Sequence, residues 1–331
     1  MELVCPAGNF PSLKAAVDNG ADAVYLGFKN ETNARNFSGL NFSNNKLERS
    51  LAYARDHNVK VFVAINTYPQ PEKWSQWKLS VDMAHDYKVD AVIVADIGVM
   101  DYAATSYPDL ALHLSVQASA TNNEALNFYH QQFNIRRAVI PRVLSLAQVR
   151  NLIDKSPVDL EVFAFGSLCI MSEGRCHLSS YVTGESPNMC GVCSPAKAVT
   201  WHESAGRLET RLSDVLIDRY EQGENAGYPT LCKGRFDVNG KTFHILEEPT
   251  SLNTMELIPE LHAIGIKALK IEGRQRSPAY VAQVVKVWRE ALDSFAHNPE
   301  QFLVRNEWNK VLADVSEGIQ TTLGAYSRPW Q

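Results

Sequence analysis

The chain has no apolar run long enough to cross a bilayer, no low-complexity tract and no Gly-rich phosphate loop. Its longest apolar stretches, such as Ala91 to Val94, are strand-sized and well short of the ~20 residues a spanning helix needs. The opening Met1-Glu2-Leu3-Val4-Cys5-Pro6 carries an acid and a proline where a secretory signal carries a basic start and a long apolar centre. These absences predict a cytoplasmic protein. A general basic field is missing too: the formal net charge is −5, which disfavours non-specific attraction to nucleic acid. Cysteine is scarce, six in 331 residues. In a reducing compartment such cysteines are read as metal ligands or catalytic thiols before they are read as a disulfide framework.

What is present is a βα rhythm. Short β-branched runs fall at Glu2 to Cys5, Ala23 to Leu26, Val61 to Ile65, Ala91 to Ala95, Leu112 to Val116, Ala138 to Ile140 and Leu160 to Phe165. Segments of helical periodicity separate them, as in a parallel sheet. An eighth run, Ala268 to Ile271, leads into a helix with Ser277 as N-cap, Pro278 at its first position and an apolar stripe of Val281, Val284, Val285, Trp288, Leu292 and Phe295. Eight βα units predict a TIM-like (β/α)8 barrel, with a doubly wound open sheet as the competing architecture. The expected division is 1–166 for seven βα units, 167–266 for an insertion, and 267–331 for the last strand, its helix and a tail. About a hundred residues between strands seven and eight far exceed an ordinary βα loop of about two to six. Asn239-Gly240 inside them is a hairpin turn signal. The aromatic tail from Thr321 to Gln331 is expected to dock on the body or on a partner.

Five of the six cysteines, Cys169, Cys176, Cys190, Cys193 and Cys232, lie in this insertion beside Gly166, Gly174, Gly191 and Gly234. Glycines let the backbone turn tightly and aim amide hydrogens at cluster sulfurs. Structural zinc sites pair their ligands in two close knuckles, and only Cys190 and Cys193 form one, so iron-sulfur is favoured over zinc. Cys5, alone at the end of a strand, reads as a small buried hydrophobe. In a barrel the reaction pocket sits at the carboxyl ends of the strands. Asn66, Asp96, Gln117, Arg142, Glu272 and Arg274 fall there, and a guanidinium suits a substrate carboxylate. His113 and His177 read as structural histidines. The loop at Gly8-Asn9 reads as a helix cap in preference to an anion site.

The run Glu161 to Cys169, continued through Gly174-Arg175-Cys176-His177-Leu178-Ser179, resembles the defining motif of the collagenase-like peptidase family, peptidase U32. Further similar segments are Ser115 to Asn122, Glu224 to Arg235, Glu248 to Thr254 and Lys270 to Arg274, so the likeness covers the whole chain. Within the family it is similar to the branch that acts in oxygen-independent ubiquinone biosynthesis. That resemblance implies one 4Fe-4S cluster per chain on Cys169, Cys176, Cys193 and Cys232, with Cys190 outside the ligand set. It also implies a heterodimer with a homologous subunit and hydroxylation of a quinone precursor, with prephenate as a candidate oxygen donor. Two other activities stand beside this one: a peptidase, for which no Cys-His or Ser-His motif is recognised, and an RNA base hydroxylase, which the acidic balance disfavours.

Overall fold

In the computed structural model, which describes residues 1–36, 39–171, 173, 176–190 and 192–328 without the side chains of Asn188, Cys190 and Ser204, eight parallel strands close on themselves. They begin with β1 (Glu2–Pro6), β2 (Ala23–Leu26), β3 (Lys60–Ile65), β4 (Ala91–Val94), β5 (Leu112–Leu114), β6 (Ile135–Val139) and β7 (Asp159–Ser167). The helices α1 (Phe10–Asp18), α2 (Asn44–Asp56), α3 (Trp74–Asp86), α4 (Ile97–Ser106), α5 (Asn123–Phe133) and α6 (Leu146–Ile153) alternate with them. After β7 the chain leaves the barrel through α7 (Leu178–Thr183), α8 (Pro187–Cys190), an antiparallel sheet of β8 (Val199–Ser204), β9 (Arg207–Leu212) and β10 (Val215–Tyr220), and the hairpin of β11 (Arg235–Val238) and β12 (Lys241–His244). It returns through β13 (Ser251–Asn253), α9 (Ile258–Ala263), β14 (Ala268–Ile271), α10 (Pro278–His297), α11 (Asn306–Asp314) and β15 (Thr321–Thr322).

Closure is decided by β14, where Leu269 sits in register with Leu3 of β1 on one edge and with Val162 of β7 on the other. An open sheet would leave β1 and β7 as edges, so that alternative is overturned. The run expected as a strand to Val116 stops at Leu114, because the Ser115 hydroxyl accepts from the Gln117 amide and starts a 3-10 turn. β13 pairs antiparallel with the upper end of β7, Leu252 opposite Gly166, and Ile258 and Leu261 of α9 join the main core. The chain is therefore back on the barrel by Ser251, earlier than the boundary near 266.

Strand alternation sorts the core into two layers. Leu3, Cys5, Val24, Leu26, Val61, Val63, Val92 and Val94 pack outward against the helices, where Trp288 and Val284 of α10 are fully buried. Each such side chain contributes about 1.5–3 kcal/mol by leaving water. Val4, Ala23, Tyr25, Phe62, Ala91, Ile93 and Ala268 form a separate cluster inside the barrel. Small alanines there leave room for charge. Arg137 donates to Glu2 at 2.5 Å and reaches Glu161 at 3.4 Å, while Lys270 pairs with Glu161 at 2.6 Å and Lys60 with Glu2 at 2.8 Å. His113 stands edge-on to Phe62, and burial, with the charges of Arg137 and Lys270, pushes it down to about 3, so it stays neutral. Among the described residues, no helix is long and apolar enough to cross a membrane.

Candidate functional site at the barrel mouth

The carboxyl ends of the strands carry the residues expected at the mouth, and each has a defined partner. Asn66 follows β3 and bridges two loops: its Oδ1 accepts from the Ala34 amide at 3.1 Å and its Nδ2 donates to the Ser115 hydroxyl at 3.3 Å. Gln117 is buried with Oε1 unpartnered, and its backbone carbonyl accepts from the Tyr68 hydroxyl at 2.6 Å. Asp96 is the N-cap of α4, its Oδ1 accepting from the Val99 amide at 3.0 Å. Asn9 does the same for α1, accepting from the Ser12 amide at 2.9 Å, as the cap reading of that loop expects.

Glu272 accepts from the Ser167 amide at 3.4 Å. Gly166 makes that approach possible, since its φ of +128° disfavours any side chain and a Cβ there would stand 2.6 Å from the Glu272 Cβ. Arg274 is 4% exposed and donates to the amide oxygens of Asn33, at 2.9 Å, and Asn41, while its Nε has no partner. Burial lowers its pKa to about 10, the Tyr25 charge works the other way, and the neighbouring Arg35 cation adds to the lowering. The mouth thus holds a buried cation answered by neutral amides.

Arg142, from the loop after β6, is fixed on three sides. Its Nε donates to Glu173 Oε1 at 2.8 Å, a second nitrogen donates to the Ser167 carbonyl, and the guanidinium lies 4.2 Å from the centroid of the Phe163 ring. Glu173 is buried with Oε2 unpartnered; burial pushes its carboxyl up and Arg142 opposes the rise. Tyr326 covers this pair from the C-terminal segment, packed against the cluster of Val139, Phe163, Leu168 and Leu252. With β15 paired to β13, the tail is docked on the body as far as it is described; Trp330 lies outside the described residues.

The cysteines gather over this mouth. Cys169 follows β7, Cys176 precedes α7, Cys193 follows α8, and Cys232 lies in a 3-10 turn at Leu231–Lys233. Burial pushes the Cys169 thiol up to about 12; Glu173 raises it further, Arg142 pulls it back, and Cys193 raises it again. Burial also raises Cys193, which is open to solvent on one side but densely packed on the others. There Arg35 lowers, Cys176 raises, and Lys233 and Arg142 lower. Cys232 is pushed up to about 12 by burial and then by Cys193, with Cys176 also raising it and Lys233 opposing. The four thiols therefore share one electrostatic neighbourhood with Arg35, Arg142 and Lys233 around it. Cys5 does not: it is fully buried, and its charged neighbours are Asp22, Arg289 and Lys270. The Cys190 side chain lies outside the described residues, as do Gly174 and Gly191.

Among the described residues, no three His, Cys, Asp or Glu side chains converge within the reach of a single metal ion. The raised thiols of Cys169, Cys193 and Cys232 keep their protons at neutral pH unless a metal displaces them, and the nearby cations favour the thiolate form once it does. Cys169, Cys176, Cys193 and Cys232 are the residues that would hold a cluster.

Other groups were not marked by sequence. Glu317 and Arg35 come from segments with no motif of their own, while Glu173 and Lys233 lie within or beside the quoted motifs without being singled out. Lys233 forms a buried ion pair with Glu317 and donates to the Thr250 carbonyl at 3.4 Å. His177 begins α7 without a side-chain cap bond. A cleft lined by Glu2, Asp22, Lys60 and Arg289 lies at the opposite, amino-terminal end of the strands, away from every one of these groups.

A model of the family described as Peptidase family U32 matches residues 8–328. The chain belongs to peptidase family U32. Among the relatives of this U32 protein, an uncharacterized protease of Methanocaldococcus jannaschii is 35% identical over 89% of this chain and 65% of its own length. A tRNA hydroxylation protein P1 of Bacillus subtilis is 31% identical over 93% of this chain and 66% of its own. A collagenase of Porphyromonas gingivalis is 28% identical over 95% of this chain and 70% of its own. The chain spans just under two thirds of the first two.

Proposed function

We propose that this U32 protein is the iron-sulfur subunit of a two-subunit hydroxylase that works without dioxygen on ubiquinone precursors, the UbiU-type partner of a UbiV-like homologous chain in the cytoplasm. One 4Fe-4S cluster would sit on Cys169, Cys176, Cys193 and Cys232. The observation that carries this reading is the electrostatic coupling of those four thiols over the barrel mouth, with three cations around them. The motif resemblance supplies the substrate class, and the hydroxylation proteins among the relatives agree with the reaction type.

A bound cluster supplies one-electron transfer. The chain's own residues do the rest. Arg142 and the Arg274 side chain place positive charge at the mouth for a carboxylate-bearing oxygen donor of the prephenate class, and guanidinium geometry favours a planar anion. Gln117 Oε1, buried and unpartnered, is an acceptor for a substrate hydroxyl. The loops tied by Asn66 and Arg274 keep these groups fixed, so binding spends little free energy on ordering them.

The peptidase reading is weak on physical grounds. A nucleophilic cysteine needs a lowered pKa, and Cys169 and Cys232 are both pushed up to about 12. The relative named for tRNA hydroxylation favours a second reading, an RNA base hydroxylase. Anaerobic protein assayed with its homologous partner separates them. Hydroxylated quinone precursor with no tRNA product supports the proposal; RNA hydroxylation with salt-sensitive RNA binding replaces it.

A further inference from the structure

The C-terminal segment from Ser316 to Arg328 touches both the barrel and the insertion. On the barrel side, Thr321 and Thr322 pair with Ser251 and Leu252 of β13. The Ser251 amide donates to the Gln320 carbonyl at 3.0 Å, and the Ser251 hydroxyl accepts from the Glu317 amide at 3.0 Å. Tyr326 packs on Val139, Phe163, Leu168 and Leu252. Gly324, at a φ of +55°, runs so close that a Cβ there would stand 3.0 Å from a Leu168 methyl.

On the insertion side the same segment is held by charge. Glu317 pairs with Lys233, and Arg328 pairs with the buried Glu247 at 2.8 Å. Lys233 follows Cys232 directly in the turn Leu231–Lys233, and that turn is backed onto β10, where a Cβ on Gly234 would stand 2.7 Å from the Ile217 carbonyl oxygen. The Lys233 side chain is 4% exposed and that of Glu317 10%. Besides Glu317, the ammonium reaches the Thr250 carbonyl at 3.4 Å. A buried ammonium that loses its carboxylate must find water or give up its charge. For Lys233, finding water means lifting the turn that carries Cys232. Docking of the segment and the position of that turn are therefore one event.

We propose that Ser316 to Arg328 form a clasp that closes over the barrel mouth and governs access to the Cys232 thiol, with the Lys233–Glu317 pair as its bond to the turn and Tyr326 as its anchor on the barrel. The clasp does not depend on what the thiol binds. A signal that draws the segment off the barrel would expose Cys232, although the apolar residues on which Tyr326 packs lie outside the Cys232 turn.

The test uses the full chain in iron-free, reduced form. Iodoacetamide alkylation is followed at each cysteine by mass spectrometry, and amide hydrogen exchange is followed over residues 228–235 and 316–328, with β3 and β4 as internal references for intact folding. Tyr326→Ala is expected to speed alkylation of Cys232 several-fold and to speed exchange in both windows. Glu317→Gln, which keeps the side chain's size and removes its charge, should do the same, including at the Gly324 to Arg328 amides on the barrel side. Lys233→Met should match it, and the double variant Lys233→Met/Glu317→Gln should react no faster than either single one, because the two changes break one bond. Faster exchange over 316–328 in Tyr326→Ala with Cys232 alkylated at the wild-type rate would overturn the clasp. So would Glu317→Gln that loosens the turn and leaves 324–328 unchanged, or single effects that simply add in the double variant. Where Tyr326→Ala loses the β3 and β4 protection, the Glu317→Gln and double-variant arms decide.

Discussion

At the amino-terminal end of the barrel every charged side chain of the inner layer answers another: Glu2 takes Lys60 and Arg137, and Glu161 takes Arg137 and Lys270. At the carboxyl end the balance is left open. Arg274 has amides for partners, Gln117 Oε1 and Glu173 Oε2 have none, and four partly exposed thiols have three cations near them. The first end pairs its charges, although Arg137 Nε and His113 Nδ1 there have no hydrogen-bond partner; the second leaves a buried cation without a carboxylate. The same barrel thus buries ions at one end to define its interior and at the other to receive something.

Changing the thiols should break this contrast most severely. Replacement of Cys169, Cys176, Cys193 or Cys232 by alanine is expected to abolish iron retention and hydroxylation together, measured as iron per chain and product formed. Cys5→Ala, in the outer layer of the barrel, should leave iron content at the wild-type level. Next in size is Glu161→Ala, which strands Lys270 as a buried cation and leaves Arg137 with Glu2 alone, and should cost about 3–5 kcal/mol in denaturant unfolding. Its thiols should still take up iron, which separates the two ends directly.

His113 sharpens the comparison through pH. Its folded pKa of about 3 lies below the ordinary histidine value of about 6.5, so the unfolded chain binds a proton first. Stability from the neutral ring is complete above about 6.5 and is lost as pH falls toward about 3, by on the order of a few kcal/mol. The groups facing it are Arg137, Lys270, Glu2 and Lys60. Equilibrium unfolding of His113→Gln between those pH values should show a flatter acid limb than wild type. The smallest effect belongs to the outer surface: breaking the exposed Arg150–Glu260 pair should change stability by less than about 1 kcal/mol.

Much of the barrel was legible because its signal is periodic and local. Val61 to Ile65 or Ala268 to Ile271 read as buried strands from composition alone, and Ser277-Pro278 marked the start of α10 by cap chemistry. Closure was not local: it depends on Leu269 finding both Val162 and Leu3, partners more than a hundred and more than two hundred residues back along the chain. The cysteines stood out by residue type. Glu173, Arg35 and Glu317 did not, since a carboxylate or guanidinium in a loop looks the same whether it ends in water or beside a thiol. Asp96 adds a role the strand-end reading did not give, for its Oδ1 accepts from the Val99 amide and caps α4.

The most direct test is elemental and spectroscopic analysis of the chain purified without oxygen. Four iron and four sulfide per chain are predicted, with a brown visible spectrum that oxygen bleaches and that disappears in the Cys232→Ala variant. Colourless protein free of iron, or protein holding a single zinc on these thiols, would contradict the account.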